Sequence, residues 1–253
     1  MLRRVWSIAV IALLGALVAP RATAQSREPE EPSANPATGI VTDRLSPRQR
    51  GIWRAIKQLI LAVDAAGKPL HPTLYALWEQ VETGPHTIYL EFDEDAPATH
   101  LTQVAGRFQI ECLDPQGIRH VATIRLHLKV IDRAHTRALT GRDAGFSQLA
   151  GLNRLERYAE VLGHELAHAA DVLSDPGRVQ MLEELVEQTN ESINQSLWRK
   201  AAIAPELEQR IMRRDAFLKE LEERARTVEE AVWRELLESQ TARKDRKVVA
   251  LAR

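Results

Sequence analysis

The sequence predicts an α+β fold, mostly helical, with a small antiparallel sheet in the middle and a long helix near the C-terminal end. Three observations predict it. On either side of residues 87–130, apolar residues recur three and four apart, the period of amphipathic helices. Within 87–130 they alternate, the period of half-buried strands. From Pro205 onward, Leu207, Ile211, Leu218, Leu221, Ala225, Val228, Val232 and Leu236 keep helical spacing over an unusually long stretch.

The first residues have the pattern of a targeting segment. Arg3 and Arg4 form a positive start, Val5 to Ala19 is an almost unbroken apolar run, and Ala22-Thr23-Ala24 is a small-residue cleavage site. The run is short for a bilayer span, so residues 1–24 are expected to be a cleaved signal peptide that leaves no stable membrane span. Losing them removes Arg3, Arg4 and Arg21 and no acid, which takes the formal charge from −1 to −4. Residues 25–45, rich in proline, serine and glutamate, have no apolar period and predict a flexible linker.

Ser46-Pro47 is a helix start, an N-cap followed by proline at the first helical position. Ile52, Ile56, Leu59, Ile60 and Val63 are its buried stripe. A second helix is predicted from Pro72 to Val81. After Gly84-Pro85 the period changes. Ile88, Leu90 and Phe92 share one strand face, and Phe108, Ile110 and Cys112 share another. Asp114 to Gly117 is a turn, followed by a strand with Ile124, Leu126, Leu128 and Val130 inward and Arg125, His127 and Lys129 outward. His127 and His135 have two readings, extra ligands or transition-state donors, or an exposed strand residue and a residue of the loop leading through Thr136–Gly145, and the second is expected. Cys112 is the only cysteine, so no disulfide forms within the chain, and it is expected to be a small buried hydrophobe.

The next helix is predicted from near Ser147 and carries Gly163-His164-Glu165-Leu166-Ala167-His168. Two histidines four apart lie on one helix face, so both rings can reach one metal ion. Glu165, one step round the helix from His164, can take a proton from water on that metal. Small and apolar neighbours mark a buried helix. Ser174-Asp175-Pro176 breaks it and starts another with a cap and a proline.

This H-E-x-x-H segment resembles the active-site helix of the zincin metallopeptidases. The metzincin extension is not met: Asp171 stands in place of its glycine and Ser174 in place of its third histidine. The gluzincin version, in which a glutamate on a following helix completes the site, stays open. Zincins set a small sheet beside the motif helix, its edge strand lining the substrate cleft, and the order of elements here agrees. The resemblance implies Zn2+ as cofactor, held by His164 and His168, with Glu165 as general base.

Three glutamates compete for the third ligand: Glu183, Glu184 and Glu187. Spacing favours Glu187, as in thermolysin-like enzymes. The short break at Ser174–Pro176 predicts a helical hairpin, whose return helix meets the histidines at Glu183 or Glu184. Glu184 points away from the apolar face of Val179, Leu182 and Val186, whereas Glu183 borders it, so Glu183 is the predicted ligand. Glu187 could support a ligand histidine by a hydrogen bond, a role known among gluzincins. Asp171 has two readings, a carboxylate that orients a ligand histidine or a solvated acid.

Length and composition allow one medium domain, placed at 46–200, with 201–253 as a long charged C-terminal helix and basic tail. That helix can pack on the domain, form a hairpin with the helix before it, or self-associate. A formal charge of −1 argues against a nucleic-acid partner. The expected function is an exported (periplasmic or secreted) zinc-dependent peptidase acting on peptide or protein substrates. The alternative is a non-catalytic exported helical binding or scaffold protein with a structural or degenerate metal site. Export with cleavage after Ala24 predicts a mature chain beginning at Gln25. Mass spectrometry that finds Met1 to Ala24 still attached refutes it.

Overall fold

The computed structural model describes residues 38–94, 105–112, 119–139, 151–198 and 204–251. The signal segment, the turn at Asp114–Gly117 and Ser147 lie outside these residues, but the helix predicted to start near Ser147 begins later, at Arg154 after the N-cap Asn153. Four strands, β1 (Gly39–Val41), β2 (Thr87–Asp93), β3 (Gly106–Cys112) and β4 (Val121–His127), form one sheet in the order β1-β2-β4-β3. Seven α-helices accompany it: α1 (Pro47–Ile60), α2 (Pro72–Glu82), α3 (Leu128–Leu139), α4 (Arg154–Leu173), α5 (Pro176–Met181), α6 (Gln188–Trp198) and α7 (Pro205–Leu251). The α+β class predicted from the sequence is the class observed.

The sheet is mixed, which corrects the antiparallel expectation. β1 pairs with β2, and β2 with β4, in parallel; only β3 runs antiparallel to β4. The connection from β1 to β2 passes through α1 and α2, long enough to return the chain to the same end of the sheet. Strand periodicity carries no information about which neighbours pair. β4 inserts between β2 and β3, so β3 becomes an edge.

Ile88, Leu90, Phe92, Ala122, Ile124 and Leu126 turn inward and are buried. The other face is polar: Arg125 donates to Glu91 at 2.9 and 2.6 Å, and Arg44 donates to the second Glu91 oxygen at 2.9 Å. The predicted linker ends earlier than residue 45, because Gly39–Val41 adds a strand and Leu45 is buried. The last strand also ends earlier than predicted. Leu128 and Ile131, three apart and both buried, commit residues 128–139 to helix α3, so His135 is helical. Asp132 then anchors α3 to α4, accepting from Arg154 and from the Tyr158 hydroxyl at 2.7 Å. The start of α1 is as predicted, with a complete capping box between Ser46 and Gln49.

Helix α4 runs through the centre of the molecule, with most of its residues buried. Its start is a second capping box. Asn153 accepts from the Glu156 amide at 3.0 Å, and Glu156 accepts from the Asn153 amide at 2.9 Å. Two helices close over it at Gly163. A Cβ there would stand 3.3 Å from both Leu74 of α2 and Val232 of α7, so glycine permits the close approach. Leu221, Ala225, Val232 and Leu236 of α7 are all buried in the core, which makes α7 part of the domain and places its apolar stripe inward. Among the described residues no helix is long and apolar enough to cross a membrane.

An integral α7 predicts that Leu236→Ala, at a fully buried position, lowers the unfolding free energy by about 2–5 kcal/mol. Met212→Ala, at a position 72% exposed on the same helix, changes it by less than about 0.5 kcal/mol. Denaturant unfolding measures both, and equal small effects would mean that α7 is an appendage.

Candidate metal centre

Helical spacing places His164 and His168 one turn apart on α4, on the face turned to α7. Their rings meet edge to face, 4.8 Å between centroids, and their Nε2 atoms lie 3.1 Å apart. A carboxylate from α7 joins them: Glu222 Oε2 is 3.5 Å from His164 Nε2 and 3.7 Å from His168 Nε2. One donor atom from each of the three residues lies within 4.8 Å of the others. All three side chains are largely covered, at 15%, 17% and 21% exposure.

A second acid on α7 fixes the first histidine. Glu229 Oε2 lies 3.0 Å from His164 Nδ1. A carboxylate there accepts the Nδ1 proton and leaves the Nε2 lone pair facing the cluster, which is the tautomer a metal requires. Burial opposes a charge on His164, but hydrogen bonds with Glu222 and Glu229 outweigh it and push its pKa up to about 10. Glu222 is also opposed by burial, and its hydrogen bonds with His164 and His168 hold it well below the usual carboxylate range. The group therefore holds positive charge tightly, as protons or as a cation.

Glu165 faces the sheet. It is buried, and burial pushes its carboxyl pKa up against the pull of His164 and His168. Edge strand β3 passes directly over it at Gly106, where a Cβ would stand 2.5 Å from Glu165 Oε1. Any side chain at 106 would displace the carboxylate. One turn before His164, Glu160 is buried beside Arg157, which pairs with it; burial raises its pKa to about 8 against that pairing.

Asp171 fits neither of its two sequence readings. It accepts from Arg178 at 2.8 Å and from Arg224 at 2.9 Å, and both arginines also reach Glu220, at 2.8 and 2.9 Å. This four-membered ion cluster ties α4 and α5 to the part of α7 that carries Glu222. His127 lies 3.1 Å from Asp93, and neither His127 nor His135 belongs to the donor group.

The described acid that joins the histidines is thus Glu222, on a helix the sequence reading did not consider for that role. The side chains of Glu183 and Glu187 lie outside the described residues, on a π-helical turn, Leu182–Glu187. Glu184 is exposed and accepts from Gln180 at 2.7 Å. Glu222 and Glu229 carried a usable signal, two acids seven apart beside the apolar stripe of Leu221, Ala225 and Val228. No protein-family model, curated protein or solved structure matches the chain.

The donor set, two imidazole nitrogens and one carboxylate oxygen, suits zinc, and three protein donors are the number used by catalytic zinc sites. Glu222→Ala is expected to weaken one-to-one zinc binding by more than about 100-fold, beyond the loss typical of a supporting partner. Glu184→Ala should leave it unchanged. Competition against a chromophoric chelator measures both, with Glu183→Ala in the same series. An unaltered affinity in Glu222→Ala refutes the assignment, and a loss in Glu183→Ala hands the position to Glu183.

Proposed function

We propose that the protein is an exported zinc-dependent peptidase in which His164, His168 and Glu222 hold the metal and Glu165 is the general base. The observation that carries this reading is the convergence of His164, His168 and Glu222 beside a buried Glu165. Bound zinc supplies a Lewis acid for the scissile carbonyl and lowers the pKa of water. Glu165 takes the proton from the attacking water and returns it to the leaving amine. A carboxyl pushed up by burial holds that proton better than a solvated one, which suits the relay. Glu229 keeps His164 in the donating tautomer.

The edge strand supports the choice of substrate. β3 borders the sheet on the side away from β4, and its Gly106 touches Glu165. An extended peptide that pairs with that edge is carried past the base, main chain first. The scaffold alternative is a structural metal closed by four protein ligands or a degenerate site. Among the described residues the group numbers three. Export rests on the N-terminal pattern of charged, apolar and small residues.

Glu165→Gln is expected to retain zinc at one per chain and to lower kcat on an unstructured protein substrate by about 10²–10⁴-fold. Gly106→Ala, which crowds the same carboxylate from the strand side, should lower kcat while also leaving zinc content unchanged. Metal analysis together with steady-state hydrolysis checks both. Full activity in Glu165→Gln, or loss of its zinc, refutes the role given to Glu165.

A further inference from the structure

The two oxygens of Glu222 have different partners. Oε2 faces the histidine nitrogens at 3.5 and 3.7 Å, whereas Oε1 accepts a hydrogen bond from Arg226 Nε at 3.1 Å. Arg226 lies one turn further along α7, so the two side chains meet on one helix face. On a solvated surface such a pair contributes little. Here the acid is mostly covered, at 21% exposure, and the arginine is 39% exposed. A glutamate can bind a metal through one oxygen or through both, and both lie on the same rotatable carboxylate. Engaging Oε1 with a guanidinium removes that choice and fixes the rotation, so that only Oε2 is presented beside His164 and His168.

Resting on the metal-centre reading above, we infer that Arg226 is a positioning residue that holds Glu222 as a one-oxygen donor. Among the described residues the group then offers three donor atoms, which would leave a coordination position for substrate and water. Lysine is a poorer substitute, because a compact ammonium on a flexible stem does not hold a donor in the fixed position of Arg226 Nε.

Cobalt(II) tests this on the full mature chain, since its visible absorption is strong in four-coordinate sites and weak in six-coordinate ones. Arg226→Met keeps an unbranched stem and a good helix former but no donor. Lys219→Ala is the control; it removes a cation from the same helix, 74% exposed and paired with Glu223. The variant Arg226→Met is expected to bind one cobalt with absorption weakened severalfold, as the second Glu222 oxygen joins. Its kcat with zinc should fall about 10–100-fold at little cost in KM. Arg226→Lys should recover part of both, and Lys219→Ala should match the wild type. A wild-type spectrum in Arg226→Met, or failure of that folded variant to take up cobalt, overturns the inference alone. A wild-type chain that takes up no cobalt overturns the metal centre itself, and this inference with it. If Arg226→Met does not fold, Arg226→Gln is read by the same criteria.

Discussion

The close approach of α7 to α4 is the constraint on which the rest of the structure depends. It is set where Gly163 lets Val232 within van der Waals reach of the α4 backbone, and it is extended by the buried stripe of Leu221, Ala225 and Leu236. Once the helices are that near, Glu222 and Glu229, which flank the stripe, have no place to go but the histidine face of α4. The ion cluster of Asp171, Arg178, Glu220 and Arg224 fixes how far along α4 the long helix slides. A shift of one turn would put different side chains opposite His164. Apolar packing thus brings the acids near, and charged pairs decide which acid meets which ring.

The same packing gathers charge of one sign. Glu165 and Glu222 lie near both imidazoles, and Glu229 and the buried Glu160 lie near His164. In a region with little water such a collection is costly unless positive charge sits among it. Arg157 answers Glu160, and Arg226 answers the outer oxygen of Glu222. The remaining deficit falls on His164, whose own affinity for a proton rises in response. A divalent cation bound at the same place would compete with that proton.

The parts of this arrangement that were legible in the sequence are those that depend on local spacing. The pair His164 and His168, the glutamate beside them, the capped start of α1 and the helical period of α7 all follow from residues a few positions apart. What was not legible depends on which elements meet. The parallel pairing of β2 with β4 leaves no trace in the alternation of either strand. The end of the last strand at His127 is set by Leu128 and Ile131, whose three-residue spacing competes with an alternation that runs on through Val130. Glu222 lies a whole helix beyond the one that follows the Ser174–Pro176 break, so no local spacing ties it to His164 and His168. A helical hairpin is the most economical neighbour for α4, but α7 is the helix that meets the histidines.

The position of Glu222 in the chain has a consequence for the making of the protein. The two histidines leave the ribosome well before α7, and a nascent chain that ends short of Glu222 carries only two of the three donors. Closing the distance between them costs chain entropy that only the completed α4–α7 core can repay. Translation order therefore withholds Glu222 from the histidines until α7 has been made. A cation captured at that moment would act as a clasp between α4 and α7.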